Sequence, residues 1–113
     1  MPNPVVHFEI GCQNREKAAE FYRAVFDWDI APPPLGTVKT GSGIEGHLTA
    51  LGHEPHHYTM FYVEVADVAA ALEKVKSLGG KTLVPPIKIP TGTFAWFADL
   101  DGNTIGLLQP NRA

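Results

Sequence analysis

Apolar and polar side chains alternate through "VVHFEI", residues 5–10. This period predicts a β-strand with Val6, Phe8 and Ile10 on one face and Val5, His7 and Glu9 on the other. The period then changes in "CQNREKAAEFYRAVFDW". Ala18, Phe21, Tyr22 and Val25 recur at the spacing of one helical face. Asn14 is placed to cap that helix, and Glu16 falls in its positive first turn. The helix is expected to lie on the Val6/Phe8/Ile10 side of the strand. "APPPLG" cannot continue it. Beyond lie short strand-like pieces, "TVKT" and "GIEGHLTAL", in a glycine-rich stretch.

The second half repeats the plan. "YTMFYVEV", residues 58–65, puts Phe61, Val63 and Val65 on one face and Met60, Tyr62 and Glu64 on the other. Asp67 caps "VAAALEKVKSLGG", where Val68, Leu72, Val75 and Leu78 form the apolar stripe and Gly79-Gly80 the left-handed stop. "KTLVPPIKI", "TFAWFA" and "TIGLLQ" read as strands. The last two are joined by "DLDGN", a turn on Asp101-Gly102. His7 and Met60 mark a repeat of about half the chain, which is a duplicated unit rather than a solenoid. The fold class is α+β, one domain over 1–113, with modules at about 1–52 and 57–113 and "GHEPHHY" between them. Two helices cover one face of the strands, and the other face is expected to be concave. Such a surface suits a small molecule.

Composition narrows the function classes. A chain of 113 residues with 44% hydrophobic and 19% charged positions suits a single globular domain. The net charge of −3, with no basic run, argues against nucleic acid and against an anionic membrane. Cys12 is the single cysteine, so no disulfide forms within the chain and a reducing cytoplasm is the expected home. The opening "MPNPVVHFEI" has no signal-peptide pattern, and no apolar stretch reaches the ~20 residues of a membrane span.

The combination "HFEI…AAEFYRAVFDW", "VEVADVAAALEKVKSLGGK" and "FADLDGNTIGLLQ" resembles the glyoxalase/bleomycin resistance/extradiol dioxygenase (vicinal oxygen chelate) superfamily across nearly the whole chain. The resemblance implies two βαβββ modules whose curved sheets share a cavity, and a homodimer. It also implies a divalent cation (Zn, Ni, Mn or Fe) on four side chains, which holds adjacent substrate oxygens where negative charge develops. Two departures fall in turns. Asp27 replaces a usual Gly after the first helix and tolerates a left-handed turn. Leu100 replaces a usual Pro.

Transferred position by position, the cation site is incomplete. His7 matches the first ligand. Met60 and Gly106 stand at the third and fourth, and a thioether and a bare backbone are poor donors for such an ion. Glu45, in "GIEGHL", is the candidate second ligand, and His47 shares its face if the strand is regular. A second register sends Glu45 outward. The candidate metal set is therefore His7, Glu45 and His47. The candidate ligand-binding set is His7, Glu9, Met60, Tyr62 and Trp96, with Trp96 either core or stacking platform. His53, His56 and His57, with Glu54, read as solvated loop residues, and Cys12 as a small hydrophobe. The leading expectation is a glyoxalase-like protein that binds a small organic molecule with no cofactor. The alternatives are a metal-dependent lyase or isomerase of lactoylglutathione-lyase type using His7 and Glu45, and a dimeric scaffold with an unused cavity.

Overall fold

A computed structural model describes residues 2–32, 35–51 and 55–111. The expected His53–Glu54 loop pair lies outside the described residues. The fold is α+β, with eight strands and two helices among the described residues. The first module runs β1 (Val5–Gly11), α1 (Arg15–Phe26), β2 (Asp29–Ile30), β3 (Thr37–Lys39) and β4 (Glu45–Thr49). The second runs β5 (Tyr58–Glu64), α2 (Val68–Ser77), β6 (Lys81–Ile89), β7 (Gly92–Ala98) and β8 (Thr104–Pro110). Strand order is β2-β3-β4-β1 in the first and β5-β8-β7-β6 in the second. In both, the opening strand pairs parallel with the closing strand, and the remaining pairs are antiparallel. Two compact units divide the chain, one from Val6 to Met60 and the other from Phe61 onward together with the N-terminal segment up to Val5. That segment is tied down by Glu64 N–H donating to Pro4 O at 2.9 Å and Asn3 Nδ2 donating to Glu64 O at 3.0 Å.

Local chemistry sets the helix ends. Asn14 Oδ1 accepts from Lys17 N–H, and Asp67 Oδ1 accepts from Ala70 N–H, each at 3.0 Å. Both satisfy donors that a helix start leaves unpaired. Asp27 ends α1 in the left-handed region at φ 59°. Gln109 Oε1 accepts from Val68 N–H at 2.9 Å and so anchors the start of α2 to β8.

The first core gathers Ala19, Ile30, Val38 and Leu48, with Phe8, Ile10, Ala18 and Tyr22 packed against it. The second gathers Val68, Leu72, Ala95 and Leu107. Each large side chain buried this way contributes roughly 1.5–3 kcal/mol. The apolar stripe expected on α1 is only half right. Ala18 and Tyr22 face the core, but Phe21 and Val25 are 61% and 53% exposed. The core beneath α1 is closed by Ala18, Ala19 and Tyr22 together with Trp28, on which Tyr22 stacks with centroids 5.4 Å apart, and Phe21 lies edge-on to Tyr22 outside it. The stripe on α2 also ends early, with Leu78 capping the helix and 68% exposed. β6 ends its strand order, so Pro85 and Pro86 fall on an edge, where the missing N–H costs least. The register shifts around them.

Candidate functional site

In β1, Phe8 and Ile10 point to the core under α1, which leaves His7, Glu9 and Gly11 on the opposite face. Parallel pairing sets His7 beside Glu45 and Glu9 beside His47. Of the two registers open in "GIEGHL", the chain adopts the one that puts Glu45 and His47 on the His7 side. Glu45 is nevertheless exposed, at the open end of β4.

The polar groups on this face bond to one another. His7 Nε2 and His47 Nδ1 are 2.7 Å apart, and the two rings stack with centroids 4.9 Å apart. His47 Nε2 lies 3.2 Å from Glu9 Oε1. Tyr58 donates its hydroxyl hydrogen to Glu9 Oε2. Glu9 is only 3% exposed, and these bonds compensate the loss of water around its carboxyl. An ionised Glu9 places the hydrogen of His47 on Nε2. His47 Nδ1 then accepts from His7 Nε2–H. Burial first, and the neighbouring His47 second, hold His7 below its ordinary 6.5, against the opposing pull of Glu9 and Glu45. Burial and the Glu9 hydrogen bond push the Tyr58 phenol well above its ordinary 10.0.

Gly11 makes the arrangement possible. A Cβ there would stand 2.2 Å from Cε2 of the Tyr58 ring. Sequence reasoning missed Tyr58. The signal was present, because Tyr58 shares the alternation of Met60, Tyr62 and Glu64 along β5.

The second module fills the matching positions differently. Glu9 lies five residues before its helix cap Asn14, and Tyr62 five before Asp67. Glu9 registers with His47, and Tyr62 registers with Gly106. An acid and an imidazole are thus replaced by a phenol and a bare backbone. The Tyr62 ring occupies the space over Gly106, where a Cβ would stand 2.4 Å from Tyr62 Cδ2. Trp96 registers with Gly106 from the other side, and its Nε1–H donates to Tyr62 Oη at 2.8 Å. Tyr62 and Trp96 are 6% and 7% exposed, and Met60, farther up β5, is also buried.

A divalent cation of the kind the resemblance implies needs three or more convergent donors. The residues here do not fit it. His7 and His47 turn their facing nitrogens on each other, the second His47 nitrogen is on Glu9, and Gly106 has no side chain. Among the described residues no group of three His, Cys, Asp or Glu side chains is arranged to hold an ion. Cys12 packs at the first core and its Sγ lies 3.6 Å from Thr49 O, with burial pushing the thiol up.

The sequence pattern of the Glyoxalase/Bleomycin resistance protein/Dioxygenase superfamily matches residues 31–107, more than half of the chain. The chain belongs to that superfamily. A glyoxylase-like domain-containing protein from Didymella fabae is 32% identical over 109 residues, covering 85% of each chain. Among solved structures, methylmalonyl-CoA epimerase from Mycobacterium tuberculosis superposes with a TM-score of 0.69 at 14% identity, over 96% of this chain and 88% of that one. A glyoxalase/bleomycin resistance protein/dioxygenase superfamily member from Vibrio splendidus 12B01 gives 0.64 at 18% identity, over 97% and 100%. These two likenesses show the glyoxalase-superfamily fold. No helix is long and apolar enough to cross a membrane among the described residues.

Proposed function

We propose that the chain is a glyoxalase-superfamily protein that binds a small organic molecule on the face carrying His7, Glu9 and His47, through hydrogen bonds rather than through a chelated cation. The observation that supports this reading is the bonded series Tyr58–Glu9–His47–His7, which holds an acid and two imidazoles in fixed positions on one face. A site already organised in this way offers a ligand fixed donors and acceptors at little ordering cost. The ligand class is a small, oxygen-bearing organic molecule able to hydrogen-bond to imidazole and carboxylate groups.

The test is a small-molecule screen by thermal shift on chelator-treated protein, repeated on Glu9→Gln and His47→Gln. A ligand that binds only the native form raises the apparent melting temperature as its concentration rises past its dissociation constant, growing with the logarithm of concentration. The reading predicts hits that both substitutions abolish. Hits that survive both, or none in a broad screen, contradict it.

Self-association belongs to the same proposal. Phe21, Val25 and Phe26 of α1 leave 61%, 53% and 55% of their surface exposed. A cytoplasmic homodimer would cover them, and sedimentation of Phe21→Glu against the parent chain reads the change in mass.

A further inference from the structure

We propose that the cleft between α2 and its sheet binds a small monocarboxylate with an apolar tail, the carboxylate against Lys74 and the tail on the sheet. This site lies wholly in the second unit and is independent of the His7 face.

The cleft measures about 270 Å³. Val63, Val65, Phe97 and Leu107 form its floor, and Ala71 and Val75 its helical wall. Its origin is visible along α2. Val68 and Leu72, in the N-terminal half, are 1% and 6% exposed and close the helix onto the sheet. Along the neighbouring line of the helix stand the small Ala71, a half-buried Val75 and, past the last turn, Leu78, which lines the cleft mouth and is largely exposed. The helix therefore closes on its sheet along the Val68–Leu72 line and leaves apolar side chains uncovered along the line of Ala71, Val75 and Leu78. Asn3 stands at one edge of the opening, with its amide already given to Glu64 O.

Charge decides the occupant. Lys74 is the charged residue of the lining, and no acidic side chain lines the cleft among the described residues. The neighbouring Lys76 is paired with Glu73 at 3.7 Å, whereas Lys74 has no ion-pair partner among the described residues. A long lysine lays its methylenes along apolar surface and keeps its ammonium at the water boundary. An apolar floor with one cation at its rim is complementary to a chain of several carbons ending in a carboxylate. It disfavours the corresponding amine, because a like charge would meet Lys74.

The experiment titrates the full chain with octanoate, octanol and octylamine by isothermal calorimetry, well below micelle formation. The account expects saturable octanoate binding, weaker octanol and weakest octylamine. Lys74→Ala should weaken octanoate about fivefold, as for an exposed ion pair, and Lys74→Glu about tenfold. Ala71→Leu should remove binding by filling the gap. Lys74 is exposed, so its variants test the idea even if Ala71→Leu folds poorly. Three results overturn the proposal: no saturable octanoate binding, octanol binding as tightly as octanoate, or octanoate affinity unchanged in Lys74→Glu.

Discussion

The ring of Tyr62 lies where a side chain on Gly106 would begin, in register on the adjacent strand, with only 2.4 Å between a Cβ there and Tyr62 Cδ2. The two residues are therefore coupled, because the ring needs the missing side chain. Gly106→Ala should destabilise the protein by about 1–3 kcal/mol, the usual cost of overpacking. The same substitution in a Tyr62→Ala background should cost much less. Urea unfolding of the four proteins measures the coupling as a double-mutant cycle.

Glu9 is the acceptor that Tyr58 and His47 share. Glu9→Leu removes it and strands both partners in a half-buried setting. The expected loss is about 1–3 kcal/mol per stranded group. Glu9→Gln keeps an acceptor oxygen and should lose less. Chemical denaturation at pH 7 checks the order, parent above Gln above Leu.

Tyr58 gives the stability curve an alkaline limb. Its folded value lies above the ordinary 10.0, so the native state holds a proton that the unfolded chain has already released. Stability is complete below pH 10 and falls as pH rises through the window between the two values. Tyr58→Phe should flatten that limb. Denaturation midpoints from pH 8 to 11 read the difference in slope.

Asp99 acts at the acid end. Hydrogen bonds from the Asn103 side chain, then from Asn103 N–H, hold its carboxyl below the ordinary 3.8. It accepts at 2.8 to 3.0 Å from three donors of the β7–β8 turn. Its contribution is present above the unfolded value and is lost as pH falls through the folded one. Asp99→Asn should remove this acid dependence below the ordinary 3.8 while leaving the Gly102 turn in place, as amide exchange of Asn103 would show.

Much of the fold was legible because local rules govern it. Alternation in "VVHFEI" and "YTMFYVEV" located the two module-opening strands, and Asn14 and Asp67 located the helix starts. The left-handed ending at Asp27 followed from what that side chain tolerates. What failed was decided by distant partners. Phe21 and Val25 fit the helical stripe, but Trp28, from beyond the helix, fills the core beside Tyr22 and they stay exposed. The side of Glu45 depended on the pairing of β4 with β1, which no short stretch encodes. Tyr58 reaches Glu9 across 49 residues of chain, and only the register of the two ends brings them together.

The central claim is that ligand recognition on the His7–Glu9–His47 face needs no cation. The direct measurement is the affinity of a ligand from the thermal-shift screen, taken by calorimetry in excess chelator and again with zinc, nickel or manganese added. The account predicts the same dissociation constant in every condition, and its loss in Glu9→Gln. Binding that appears only with one of the metals, and vanishes in His7→Ala and Glu45→Ala together, would contradict it.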